Sequence, residues 1–265
     1  MPINSNLYQE REQLPALVLV HGLGSAGNIW KTLISRLQGS FSVYTLDLPG
    51  HGSAALAANE ELDPKSLAAK IASHLESEYG VTQFHLAGNS LGGWITLELA
   101  AIYPERVLSV TALAPAGLWE GGPTSRYPPT IVARLLAKIS QYFLRIAYRT
   151  PFLKAAGYKK ITHLWRELSF ETCRDSVIAM ASATGFKPMW QQLRNKNFSG
   201  EISQKVPVSV VFGDYDLTLP NPEAQLRSKA PSHTNWIVVE NCAHVIMWNY
   251  PELTVDFIKD TAFKY

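Results

Sequence analysis

The tightest constraint on this chain is a junction near residue 90. An apolar run from Val81 to Ala87, the length of a short buried strand, gives way to "GNSLGG" (88–93), and from Leu91 to Ala100 apolar side chains recur at helical spacing. Glycines on both sides of Ser90 at a strand-to-helix boundary predict a sharp turn where bulky neighbours would clash and the serine hydroxyl projects outward. The plainer reading of such a serine is a helix N-cap.

The same alternation runs through most of the chain. Apolar stretches at Ala16–Val20, Ser42–Leu46, Val107–Ala114, 206–213 and 235–240 read as strands. Helical patterns cover Ala26–Leu37, Pro64–Tyr79, the region from Glu223 to Lys229, and the segment after Pro251. Continuous apolar strands alternating with amphipathic helices predict an α/β fold, with a mostly parallel sheet covered on both faces. Between 117 and 200 the strand signals stop and the pattern turns helical or irregular. That segment reads as a helical cap inserted into a core made of residues 1–116 and 201–265.

Charge separates the same two parts. Residues 117–200 hold 13 Lys and Arg against 4 Asp and Glu, whereas the whole chain of 265 residues carries a net charge of only +2. The N-terminus lacks a basic start followed by an apolar run, and no apolar stretch is long enough to span a bilayer, so a cytoplasmic protein is expected. Cys173 and Cys242 form neither a disulfide framework nor a metal pattern.

In an open parallel sheet, ligands bind beyond the carboxyl ends of the strands. Four loops leave such ends: "HGLG" (21–24), "GNSLGG" (88–93), "GDYDLTLP" (213–220) and "ENCAHVIMWNYPE" (240–252). A serine hydroxyl needs a base to become a nucleophile. His244 is the candidate among seven histidines. His21 and His51 fit better as braces of glycine turns, His74 lies on a helix expected at the surface, and His85 opens a strand. The imidazole in turn needs an acid to fix its tautomer. Asp216 is favoured by the Gly213, Asp216, Pro220 spacing, with Asp214 as the alternative. The backbone N–H groups of Leu91 and Leu23 are the candidate donors for a developing oxyanion.

These stretches, with "DLPGHG" (47–52), resemble the α/β-hydrolase superfamily in content and order. The resemblance implies an eight-stranded sheet with a helical cap between the sixth and seventh strands. Because few residues precede Ala16, the leading strands are expected to be short or partly missing. It implies a serine hydrolase acting on carboxylic esters of small to medium, largely apolar substrates, with Ser90, Asp216 and His244 as catalytic set and no metal or organic cofactor. Ser90 argues against the branches that use an aspartate nucleophile, and "HGLGSAG" lacks the Gly-Pro-Gly type loop of the meta-cleavage C–C hydrolases. "DLPGHG" resembles both a menaquinone-pathway lyase and a pimeloyl-ester hydrolase, and does not discriminate. C–C hydrolysis or a lyase reaction with the same three residues, and ligand sensing, stay as alternatives because fold alone does not choose the reaction.

The expected partner is a small-molecule ester or acyl compound, not nucleic acid. Trp119, Trp165, Phe186, Trp190 and Trp248 are candidate pocket residues. In the cap, residues 130–149 form a basic amphipathic pattern: Arg134, Lys138, Gln141, Arg145 and Arg149 on one face, and Ile131, Leu135, Ile139, Tyr142, Phe143 and Ile146 over much of the rest. Three readings fit. The helix packs its apolar side on the body, or it meets an anionic membrane or an acyl chain beneath the lid, or its charge steers an anionic substrate.

Overall fold

The computed structural model describes residues 3–8, 14–120 and 128–263. In chain order the elements are β1 (Asn4–Tyr8), β2 (Ala16–Val20), α1 (Lys31–Leu37), β3 (Ser42–Asp47), α2 (Pro64–Tyr79), β4 (Phe84–Asn89), α3 (Leu91–Ile102) and β5 (Val107–Leu113). Five helices follow: α4 (Pro128–Ser140), α5 (Leu144–Arg149), α6 (Pro151–Tyr158), α7 (Phe170–Ser182) and α8 (Phe186–Leu193). The chain then returns through β6 (Val208–Gly213), β7 (Asn235–Val239), α9 (Ile246–Asn249) and α10 (Pro251–Phe263).

The seven strands of the described residues form one sheet in the order β1-β3-β2-β4-β5-β6-β7. All neighbours pair in parallel except β1, which runs antiparallel to β3 at the edge. Strands β2, β3, β4 and β6 are buried along their whole length, as expected for a parallel sheet covered on both faces. Helices α2, α3 and α10 bury their apolar stripes on that sheet. The carboxyl ends of β2, β4, β6 and β7 therefore lie at one edge, which gathers the four glycine-rich loops.

Several local expectations are corrected. Among the described residues the sheet has seven strands rather than the eight that the resemblance implies, with β1 as the single leading strand. Its sequence, "NSNLY", carries no apolar run because the strand is exposed or half-buried at every position. That strand covers His74, which is buried rather than superficial and whose Nε2 lies 2.8 Å from Ser5 Oγ. The strand expected from Val81 starts at Phe84. Gly80 ends α2 with φ +65°, its N–H donating to Glu76 O at 2.9 Å in an αL closure, and the Val81 N–H turns back to Leu75 O at 3.1 Å, which takes Val81 out of the strand. The helix expected from Ala26 begins as a 3₁₀ turn over Gly27–Trp30. The helix expected near Glu223–Lys229 is only a 3₁₀ turn at Arg227–Lys229, because the Leu226 N–H donates to Leu118 O at 2.9 Å instead of to its own turn.

Candidate active site

The residues flanking Ser90 explain its neighbours in the sequence. Ser90 has φ +57° and ψ −117°, a conformation that costs a non-glycine residue about 1–3 kcal/mol. Its backbone is clamped from both directions. The Ser90 N–H donates to Leu113 O at 2.9 Å, and Ser90 O accepts from Ala116 N at 2.9 Å and Trp94 N at 3.2 Å. A Cβ on Gly88 would lie 2.3 Å from Gly92 O, and one on Gly92 would lie 2.0 Å from Val20 O. Only glycine fits at either place, so the N-cap reading cannot account for this turn. Ser90 makes no side-chain capping bond to α3.

The loop after β2 passes directly beside the serine. A Cβ on Gly22 would sit 3.1 Å from Ser90 Cβ and 3.7 Å from its Oγ. The loop is braced by His21, as expected. The Leu48 N–H donates to His21 Nε2 at 3.0 Å, so the ring proton sits on Nδ1, which donates to Gly22 O at 2.7 Å. Burial lowers the His21 pKa and keeps this tautomer neutral. The N–H groups of Leu23 and Leu91 donate to no acceptor among the described residues. The Leu91 N–H also stands at the N-terminus of the 12-residue α3, the positive end of its dipole.

The loops after β6 and β7 supply a buried pair. Asp216 Oδ2 accepts from His244 Nδ1 at 2.8 Å, while Asp216 Oδ1 accepts from the N–H groups of Thr218 and Leu219 at 2.8 Å each. Asp214 points elsewhere: it is exposed, and its Oδ1 accepts from Cys242 N at 3.0 Å. Asn89, the residue before the serine, joins the loops by donating from Nδ2 to Leu113 O at 3.1 Å and to His244 O at 3.2 Å. The Ser90 hydroxyl makes no hydrogen bond among the described residues.

Helices α7 and α8, inserted between β5 and β6, pack against loops at this edge. A Cβ on Gly24 would collide with Met180 at 2.6 Å and meet Phe186 at 3.0 Å, so both side chains lie on the loop that carries Leu23. The Gly185 N–H donates to Gly50 O at 3.0 Å, and the Val245 N–H donates to Ile161 O at 2.9 Å, tying the cap to two site loops. The other pocket candidates are placed differently. Trp248 lines a cleft of about 230 Å³ with Ser25, Ile29, Thr172 and Ser176. Trp119 packs edge-on against the core Trp94, with its N–H on Lys196 O at 2.8 Å. Trp165 lies under the Arg166 guanidinium, 4.1 Å from the ring centroid, and Trp190 is half-buried on α8.

With this geometry in hand, comparison with known proteins is direct. The model of the α/β-hydrolase fold family matches residues 15–251. The chain is an α/β hydrolase. Among curated relatives it is similar to the pimeloyl-[acyl-carrier protein] methyl ester esterase of Aeromonas hydrophila, at 25% identity over 93% of this chain and 95% of that one. It is also similar to a monoacylglycerol lipase of Mus musculus, at 23% identity over 93% of this chain and 75% of the other. Among solved structures, the carboxylesterase CesB of Bacillus subtilis superposes with a TM-score of 0.71 at 18% identity, covering 100% of this chain and 93% of that one. The hydrolase class and the fold are thus shared with esterases and lipases.

Several residues of this α/β hydrolase escaped sequence reasoning. Met180 gave no signal, since a methionine on an amphipathic helix reads as ordinary packing. Asn89 was hidden at the end of an apolar strand. Arg134, assigned by periodicity to the solvated cationic face, turns inward instead: its Nε is buried without a partner, and its charge acts on His51. His51 is itself buried, with Nδ1 donating to Pro49 O at 3.1 Å and Nε2 unpartnered.

Proposed function

We propose that this protein is a serine esterase that cleaves carboxylic esters of small to medium, largely apolar substrates through an acyl-enzyme. The observation that carries the reading is the strained Ser90, next to the unpartnered Leu91 N–H and beside the 21–24 loop that bears the unpartnered Leu23 N–H, with Met180 and Phe186 packed against Gly24 of that loop. In this mechanism Ser90 Oγ attacks the ester carbonyl while His244 Nε2 takes its proton. Asp216 holds the Nδ1–H tautomer and stabilises the imidazolium. The Leu23 and Leu91 amides receive the charge that develops on the carbonyl oxygen, each such donor being worth about 2.7–4 kcal/mol in related chemistry. The histidine returns its proton to the leaving alcohol, and water activated by the same ring releases the acid. The serine-to-histidine hydrogen bond forms as substrate enters, since such contacts are commonly loose in free enzymes.

The apolar side chains of Met180 and Phe186 against the 21–24 loop favour an acyl chain over a polar group nearby, and the esterase and lipase names of the relatives support the same substrate class. The reading is tested with nitrophenyl esters over a series of acyl lengths, with Ser90→Ala alongside. Turnover that peaks at one length and vanishes in the variant is expected. Equal turnover by the variant would overturn it.

A further inference from the structure

The outer face of the cap reverses the usual order of an amphipathic helix. Helix α4 packs against α7, and on the described part of α4 the buried residue is Ala137. The large apolar side chains point away. Leu136, Ile139, Tyr142, Phe143, Ile146 and Phe152 are between 54 and 79% exposed. Of the sixteen large apolar side chains exposed among the described residues, nine lie between 135 and 178. Large apolar side chains exposed at this density along one stretch of chain mark an interaction surface rather than ordinary solvent contact.

The charges beside this patch name the occupant. Between Glu120 and Glu167 the sequence holds nine Lys and Arg and no Asp or Glu. Lys138, Arg145, Arg149, Lys159 and Lys160 are exposed, and none pairs with a described carboxylate. Lys154 belongs to the scaffold, since its Nζ donates to Arg166 O and Leu168 O at 2.8 and 2.9 Å. Bulky apolar side chains set among unneutralised cations match the boundary between acyl chains and anionic headgroups, where the first are buried and the second stay in contact with negative charge. An apolar surface on a protein partner or on a second copy would leave those cations without counter-charge.

We propose that the cap face formed by α4, α5 and α6 docks on an anionic lipid bilayer. This inference does not rest on the esterase reading, since the surface lies outside the Ser90 loops. The test is sedimentation of the intact protein with vesicles of phosphatidylcholine alone, or with about one third phosphatidylglycerol. Partition onto the anionic vesicles is expected, at least tenfold stronger than onto neutral ones and reduced several-fold by 0.5 M salt. Each Lys or Arg replaced by Gln at 138, 145 or 149 should weaken partition by about fivefold. Phe143→Ser with Phe152→Ser should weaken it at every salt concentration, and these exposed positions keep the folded state intact. Ser90→Ala should bind like the native protein. Equal partition onto both vesicle types, or none, would overturn the proposal. So would a dimer in analytical ultracentrifugation that dissociates in the Phe143→Ser, Phe152→Ser variant.

Discussion

Replacing Asp216 by asparagine isolates the acid from every other part of the site. The aspartate uses one oxygen for the Thr218 and Leu219 N–H groups and the other for His244. Asparagine has a single acceptor oxygen. Two backbone donors at 2.8 Å claim it, which turns the amide NH₂ toward His244 Nδ1. A donor there forces the ring proton from Nδ1 to Nε2, and Nε2 can then no longer receive the serine proton. The loop keeps its turn, so the thermal midpoint should stay within a few degrees, while kcat falls by about 10⁴-fold, or about 5 kcal/mol of transition-state stabilisation. Asp214→Asn keeps an acceptor oxygen for the part-buried bond to Cys242 N and, lying outside the Asp216–His244 pair, should remain within about tenfold of native activity. The assay is steady-state nitrophenyl ester hydrolysis with a parallel melting curve. A mild Asp216→Asn beside a crippled Asp214→Asn would refute the argument and move the acid to the other residue.

Three further outcomes follow from the same geometry. Gly92→Ala puts a methyl 2.0 Å from Val20 O, so it should destabilise the fold by about 1–3 kcal/mol in a urea titration and displace Ser90, with esterase activity falling further than stability. Burial, reinforced by the neighbouring His21 ring, pushes the His51 imidazole down to about 3, below its unfolded value of 6.5. The unfolded chain therefore protonates first as pH falls: the stability from the neutral ring is complete above pH 6.5 and is lost toward pH 3, at about 1.4 kcal/mol per pH unit. Unfolding free energies from urea titrations should approach this slope as pH falls below 6.5, with a shallower slope in His51→Asn; an unchanged slope would count against it. Met180→Ala opens space above Gly24 and should shift the preferred acyl chain longer, read as a change in the chain-length profile of kcat/KM.

The legible parts of this protein are those where sterics leave one residue type. "GNSLGG" could be read because Gly88 and Gly92 are fixed by carbonyls within 2.3 Å of a missing side chain, and such requirements are written in composition. The parallel sheet was legible for a related reason, since strands buried on both faces must be apolar throughout. The edge strand β1 left no such signature, because none of its positions is fully buried and "NSNLY" is tolerated there. The helix expected at 223–229 failed because a single distant acceptor, Leu118 O, took the Leu226 N–H that the next turn needed. The cap shows the limit most clearly. Periodicity revealed two faces on residues 130–149, but which face turns inward depends on α7, and the structure turned Ala137 and Arg134 in and the large apolar residues out.

In the proposed mechanism Ser90 carries the acyl group. The most direct measurement is rapid acid quench of the protein with a nitrophenyl ester, followed by intact mass and peptide mapping. A mass increase of one acyl group confined to the peptide containing Ser90 is expected, absent in Ser90→Ala and prolonged in Asp216→Asn. An acyl group on another residue, or full turnover by Ser90→Ala, would contradict it.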